Sequence, residues 1–456
     1  MLRLLRFVKS GTWVGIAALA VVATVPAHAQ RPGATPSPAL VANLPGAGGR
    51  NVILVDASTA MGAESGAVAA STTTSRWERA ARTVDWLIGR LPVDAQFQVI
   101  LFNEQARALQ AQNGAWFSAA QSVNRDAVAR TLRSGVVPSG EANLAIAFAA
   151  AAALQPPVDR IYLIAAGLPG RALPADERIA LFNAATKSLR TSTPVDVLLL
   201  PVLDSDEMAP SYWHLALSTG GSLMTMSPDW PPTATPAQDS RFATTHAVFV
   251  VDTSGSMRGA GWPRVRNVVR EVLTSSPRLE AFRILNDQGH PLRRKSVGDW
   301  TPATPEAIEA VLSTLGTWTS ESGSNTTRGI LRAIALAHYV GAVAIYVLGD
   351  DLTSKTFATD KSDVLQALDG ENVRGKVTVS TIAIPTVFEA TGRLYTAAQF
   401  AMLQHELAVR SGGFFVSLPC DPGIEAAMRR RTYTEPDQLP PQCPKRNSAI
   451  AMIPRR

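Results

Sequence analysis

The chain has 456 residues, 46% apolar and 18% charged, with 43 Lys and Arg against 37 Asp and Glu for a formal net charge of +6. That length exceeds one ordinary domain, and so apolar, weakly charged a composition excludes a disordered or coiled-coil chain. The basic balance leaves a nucleic-acid partner open until the charges are located.

Residues 1–29 have the form of a cleavable export signal. Arg3, Arg6 and Lys9 precede an apolar stretch from Trp13 to Val25, and Ala27-His28-Ala29 supplies a small-x-small cleavage site. The stretch is shorter than the roughly 20 residues a membrane-spanning helix needs. Cleavage leaves Gln30 first, with no Cys behind it to carry a lipid, and predicts a periplasmic or secreted protein. No later segment is long and apolar enough to span a membrane. Leu144 to Leu154 comes nearest and reads as a buried helix.

Residues 30–49 form a Pro- and Gly-rich leader. A Pro-rich linker at 227–240 separates two longer blocks, 50–226 and 241–419, each expected to be a domain. The blocks open alike. Asn51-Val-Ile-Leu-Val55 runs into Asp56-Ala-Ser-Thr-Ala60, and His246-Ala-Val-Phe-Val-Val251 runs into Asp252-Thr-Ser-Gly-Ser256. An unbroken apolar run ending at Asp is the pattern of a buried parallel strand that delivers a carboxylate at its carboxyl end. Helices should follow. Ser75-Arg-Trp-Glu78 is a capping box ahead of Trp77, Ala81, Val84 and Ile88, and Val265, Val268, Val269 and Val272 repeat the spacing after Pro263. Further apolar runs start at Phe97, Arg160 and Val195, and at Phe282, Ala342 and Val377. Their alternation with helical segments predicts an α/β fold: two doubly wound, mostly parallel sheets with helices on both faces, Rossmann-like in type, and ligands at the strands' carboxyl ends.

In the second block, Asp252, Ser254 and Ser256 place a carboxylate and two hydroxyls at alternate positions of a Gly-containing turn. Ser322-Gly-Ser-Asn-Thr326 is a polar loop before a helix, and Asp350 follows the strand Ala344 to Leu348. Hard oxygen donors at this density suit Mg²⁺ or Mn²⁺. Simple capping of the next helix would account for Asp252 but not for both serines and the two later segments.

Strand-Asp-x-Ser-x-Ser, a Gly-Ser-Asn loop before a helix and an Asp after a central strand together resemble the von Willebrand factor A (vWA) family and its metal-ion-dependent adhesion site (MIDAS). The resemblance covers both blocks. It implies Asp252, Ser254, Ser256, Ser324 and Asp350 as ligands of Mg²⁺ (or Mn²⁺ or Ca²⁺), with a position left open for an acidic residue of a protein partner. Ser324 stands where the family usually has Thr, and Thr326 or Thr327 could serve instead. The first block keeps Asp56 and Ser58 but has Ala60, Ala142 and Ala166 at the other three positions, with Glu141 offset by one. It reads as a degenerate domain without metal, left to pack against the second or to bind by surface shape. Trp262 and Trp318 flank the candidate site in loops and could form an apolar rim for a partner.

Catalytic patterns fail individually. Asp252-Thr253 is followed by Ser254 where an aspartic protease needs Gly. His405-Glu406 lacks the second His of a zinc protease helix, which leaves His405 a partly exposed helix residue. No nucleophile elbow or Walker loop occurs. The expectation is therefore a binding protein, not an enzyme. A hydrolase using the same metal, and a structural envelope protein with a fold-stabilising metal, are the alternatives. Asp351, the nearest extra acid, reads as an exposed turn residue. Cys420 and Cys443, the only cysteines, favour a structural disulfide over metal ligation in an exported chain. They fall in the basic tail, 420–456, which could make weak contact with an anionic surface. Without the signal's bases and the tail from Arg429, acids outnumber bases in the body by two. The nucleic-acid reading goes with that.

Overall fold

The computed structural model describes residues 49–62, 75–109, 116–187, 189, 193–203, 205–225, 244–257, 261–276, 278–292, 300–315, 318, 323–370, 376–385 and 394–419. The signal-like segment, the leader up to residue 48, the linker, both cysteines and the basic tail lie outside them.

In the first half the chain runs β1 (Arg50–Asp56), α1 (Arg76–Ile88), β2 (Gln96–Phe102), β3 (Ala106–Ala108), β4 (Phe117–Ser118), α2 (Ser122–Ser134), α3 (Leu144–Ala153), β5 (Arg160–Ala165), α4 (Ala175–Thr186), β6 (Val195–Leu199), α5 (Met208–Thr219) and β7 (Leu223–Thr225). The second half runs β8 (His246–Val251), α6 (Gly261–Ser275), β9 (Ala281–Asn286), β10 (Thr301–Pro302), α7 (Pro305–Leu315), α8 (Thr326–Leu336), β11 (Val343–Gly349), α9 (Phe357–Asp369), β12 (Val377–Ala383), α10 (Leu394–Ser411) and β13 (Phe415–Ser417).

The expected α/β architecture is present, with parallel inner strands and helices on both faces. The two sheets are also joined edge to edge. One 13-stranded sheet has the order β10-β9-β8-β11-β12-β13-β7-β6-β5-β1-β2-β3, with β4 also on β2. Inner strands are apolar on both faces because both are covered: Val52 and Leu54 enter one apolar layer, Ile53 and Val55 the other. The first layer packs under α3, α4, α5, α8, α9 and α10, the second under α1, α2, α6 and α7, and each crosses both halves. Ser75 caps α1, its Oγ accepting the Glu78 N–H at 3.1 Å, and Trp77, Ala81, Val84 and Ile88 are buried as their spacing predicts. The stretch from Leu144 departs from expectation. In α3 only Leu144, Ala147, Phe148 and Ala151 are buried, and Ile146 is exposed. An alanine-rich face loses little by meeting water. Among the described residues no helix is long and apolar enough to cross a membrane.

The seam is built from equivalent parts of the two halves. Thr219-Gly220-Gly221 ends α5 and leads into β7, and Ser411-Gly412-Gly413 ends α10 and leads into β13. Gly220 and Gly412 both take φ 79°, the left-handed cap that favours glycine. A Cβ on Gly221 or Gly413 would fall 2.1 Å from the Val195 carbonyl oxygen or 2.0 Å from that of Val379. Thr219 Oγ1 accepts the Val195 N–H at 3.0 Å, and Ser411 Oγ that of Val379 at 2.8 Å. β7 and β13 then pair antiparallel, Met224 opposite Val416. Trp213 Nε1 donates to Ser417 Oγ at 2.6 Å, and the equivalent His405 reaches back to Thr225 Oγ1 at 3.0 Å.

His405 is therefore buried in the seam, not partly exposed. Its Nε2 lies 2.9 Å from the Val202 carbonyl, which can only accept, so Nε2 carries the proton and Nδ1 accepts from Thr225. Lys361 joins the halves at the surface through Asp206 and Glu406, each at 2.8 Å. The seam behaves as an internal two-fold, and an antiparallel seam turns the carboxyl ends of the two sets of strands to opposite ends of the sheet.

Candidate metal centre

Strand order reverses beside β8, which lies between β9 and β11. The crevice at the carboxyl ends of β8 and β11 is the switch point where doubly wound sheets place ligands. Asp252 leaves β8 there, anchored by its N–H on the Leu348 carbonyl at 2.7 Å, and Asp350 leaves β11. Asp252 Oδ1 accepts the Ser254 N–H at 2.7 Å, closing the turn. Ser256 Oγ donates to Asp350 Oδ1 at 3.2 Å, which uses its one proton, so the Ser254 hydroxyl donates to Ser256 Oγ at 2.8 Å. Four of the five expected residues thus form one linked cluster.

Asp252, Asp350 and Asp351 are buried, and each offers an oxygen within 4.8 Å of the others. Asp351, expected as an exposed turn residue, is 6% exposed and accepts from Thr396 Oγ1 at 3.0 Å. Burial first, then the charges of Asp350, Asp351 and Asp287, hold the Asp252 carboxyl well above the ordinary aspartate range. Its Oδ2 is buried with no hydrogen-bond partner. Clustered buried carboxylates with an orphaned oxygen are costly unless a cation neutralises them. Carboxylate and hydroxyl oxygens are the donors that a hard divalent cation takes, so the residues fit one.

Ser324 is buried beside this cluster. Its carbonyl accepts the Thr353 N–H at 2.7 Å, which docks its loop on the segment after Asp351. At φ 43° it is the one non-glycine with positive φ among the described residues. Such a conformation costs about 1–3 kcal/mol and persists where surroundings impose it, commonly at functional sites. Of the two alternatives to Ser324, the Thr327 hydroxyl is engaged by Asn325 Oδ1. That of Thr326, fully buried, has no partner.

The first half is an internal comparison. Asp56 is buried and accepts the Ser58 N–H at 2.8 Å, as Asp252 does from Ser254. Asn143 caps α3 as Asn325 caps α8. Around these shared residues the polar groups are gone: Ala57 for Thr253, Ala60 for Ser256, Phe102 for Asp287, Ala142 for Ser324, Leu144 for Thr326, Ala166 for Asp350 and Gly167 for Asp351. The Gly167 carbonyl accepts the buried Tyr212 hydroxyl at 2.9 Å. Burial chiefly, with some effect of Glu141, pushes the Asp56 carboxyl up to about 6. Glu141 itself is exposed.

Trp262 lies in the first turn of α6, not in a loop, and Trp318 follows α7. Both are half-buried against the same apolar layer as Val265 and Leu312. Asp287 is the residue that sequence reasoning missed: buried beside the cluster, it hydrogen-bonds both Thr253 and Asn325. Asn-Asp-Gln-Gly reads as an ordinary turn, and only alignment with Phe102 sets it apart.

Fold and donor set together define an α/β protein with a cation-type site at the switch point of its second half. Neither a protein-family model nor a curated protein matches the sequence. Among solved structures the chain is similar to a von Willebrand factor type A protein from Catenulispora acidiphila, at 19% identity over 40% of this chain and 39% of that one, with a TM-score of 0.31. The match thus spans well under two thirds of that protein's length. It is similar to proximal thread matrix protein 1 from the mussel byssus, at 11% identity over 81% of this chain and 97% of that one, with a TM-score of 0.27. A further structure of that protein has zinc in its MIDAS motif. The PilB minor pilin from Streptococcus sanguinis is similar at 14% identity over 39% of this chain and 56% of that one, with a TM-score of 0.29.

Proposed function

We propose that the second half is a vWA-type adhesion or assembly module. It holds one divalent cation (Mg²⁺, or Mn²⁺ or Ca²⁺) through Asp252, Ser254, Ser256, Ser324 and Asp350, and binds an acidic side chain of a protein partner there. The observation that carries the reading is the buried cluster of Asp252, Asp350 and Asp351, which each offer an oxygen within 4.8 Å of the others and in which Asp252 Oδ2 has no hydrogen-bond partner. Asp252 and Asp350 balance the charge of one divalent ion, and the serine hydroxyls add neutral oxygens. A bound cation supplies the positive centre that a partner carboxylate recognises. The chain's own residues do the rest: the switch point aims both donor loops at one spot, and Thr396 donates to Asp351 Oδ2 and so orients that carboxylate beside them. On this reading the site binds and does not catalyse. On the same reading the first half is a scaffold without metal, and the export-type pattern of residues 1–29 supports a protein that works outside the cytoplasm.

Crosslinking capture from native envelope with the full chain tests the proposal. A partner recovered in Mg²⁺ should be lost with chelator and with Asp252→Ala. Equal recovery in all three conditions would sink it.

A further inference from the structure

Resting on the cation site proposed above, we infer that Asp287 is its positioning residue: a buried carboxylate that ties the Asp252–Ser256 turn to the Ser324 loop, so that both donor segments are in register before a cation arrives. Asp287 directly follows β9 and is fully buried. Its Oδ1 accepts the Thr253 hydroxyl at 2.8 Å and the Thr253 N–H at 3.3 Å. Its Oδ2 accepts the Asn325 N–H at 3.3 Å and Gln288 Nε2 at 3.1 Å. Its main-chain carbonyl accepts the Gly329 N–H at 2.8 Å. Thr253 stands between Asp252 and Ser254, and Asn325 is next to Ser324. One side chain therefore spans both donor segments, and its backbone holds the helix that follows the second. With four donors on its two oxygens, Asp287 is committed to protein groups and acts on the cation through them.

The first half shows that the fold does not require this carboxylate. There the register sets Phe102 beside Asp56, and Ala57 replaces Thr253. The same segments are joined without a carboxylate: the Ala57 N–H donates to the Phe102 carbonyl at 2.7 Å and the Asn143 N–H to the Asn103 carbonyl at 3.0 Å, while the Thr59 hydroxyl donates to the Gly140 carbonyl at 3.0 Å and Asn103 Nδ2 to that of Ser139 at 2.9 Å. The carboxylate–hydroxyl pair thus occurs in the half that has the donor residues and is apolar in the half that lacks them. A residue kept only for packing would not be a further buried acid next to Asp252, Asp350 and Asp351, because an unneutralised charge there opposes folding. Partners of metal ligands that lie one shell out commonly set affinity by roughly 10- to 100-fold.

The test is calorimetric titration of the full chain with Mn²⁺, paired with melting of the cation-free protein, for native, Asp287→Asn, Thr253→Ala and Asp252→Ala. Asp287→Asn presents an amide to the Asn325 and Gln288 donors and removes one acid from the cluster. Mn²⁺ affinity should fall roughly 10- to 100-fold, while cation-free melting stays level or rises. A merely structural role would lower the melting temperature and leave affinity alone. Thr253→Ala installs the residue of the first half and should cost roughly three- to tenfold in affinity, the worth of one hydrogen bond. It decides the matter if Asp287→Asn does not fold. Mn²⁺ affinity within twofold of native in the variant that folds would overturn the inference and leave the cation site standing. Absence of saturable binding in the native protein, or binding that survives Asp252→Ala, would overturn both.

Discussion

Trp213→Ala should destabilise both halves together, by about 3–5 kcal/mol, the usual cost of emptying a buried tryptophan site. Trp213 belongs to the first half, yet its partners are in the second. Its ring centroid lies 6.1 Å from that of Phe400 and 5.8 Å from that of Phe415, and its Nε1 donates to Ser417. Alanine would open a cavity in an apolar layer that crosses the seam and leave the α5–α10 contact without its largest member. Trp213→Phe keeps most of the volume and loses one hydrogen bond, so it should cost about 1 kcal/mol on that account. Urea unfolding followed by hydrogen exchange separates the outcomes. Strands β9 and β11, distant from the substitution, should lose protection at the same reduced urea concentration as β5 and β6. Protection lost in the first half alone would mean that the seam does not couple them.

Without added cation, stability should rise as pH falls from 7 toward 5, and saturating Mg²⁺ should remove that rise at the second-half site. Burial, reinforced by Asp350, Asp351 and Asp287, raises the Asp252 carboxyl in the folded state. An acid with a raised folded value binds more protons when folded than when unfolded. Its contribution is favourable in acid and is lost as pH climbs through the window between the two values. Asp56 follows the same rule between its ordinary 3.8 and about 6, and no cation should alter that share. A cation binds the deprotonated carboxylates, so its own affinity falls in acid. Melting temperatures at pH 5, 6 and 7 with and without Mg²⁺ give the two slopes. Identical slopes would contradict a cation at Asp252.

Much of this was legible in the sequence, for a physical reason. Strands covered on both faces are written as unbroken apolar runs, so β1, β2, β5, β6, β8, β9, β11 and β12 announce themselves. Asp56 and Asp252 mark the ends of β1 and β8. The seam was illegible because β7 and β13 have three residues each, too few for any periodicity. The signal that could have found them is the paired Thr-Gly-Gly and Ser-Gly-Gly after equivalent helices. Trp213 and Ser417 are 204 residues apart, and nothing local to either names the other. His405 read as partly exposed because its burial depends on Thr225 and Val202 of the other half. Asp351 read as exposed for a related reason: α10, which brings Thr396 to it, closes over the loop from far along the chain.

The fused sheet also bears on what the first half is for. Asp56 and Asp252 lie seven strand steps apart across the sheet, roughly 34 Å at ordinary strand spacing, and face opposite ends. A ligand held at one cannot be completed by the other. On the proposed reading the first half adds rigidity through the seam, and Ala60, Ala142 and Ala166 stand where the second half has the oxygens of Ser256, Ser324 and Asp350.

Cation stoichiometry of the full chain tests that asymmetry most directly. Equilibrium dialysis against Mn²⁺ should give a single bound ion in the native protein, none in Asp252→Ala and a single ion in Asp56→Ala. Two ions in the native chain, none at all, or an ion retained by Asp252→Ala would contradict the account.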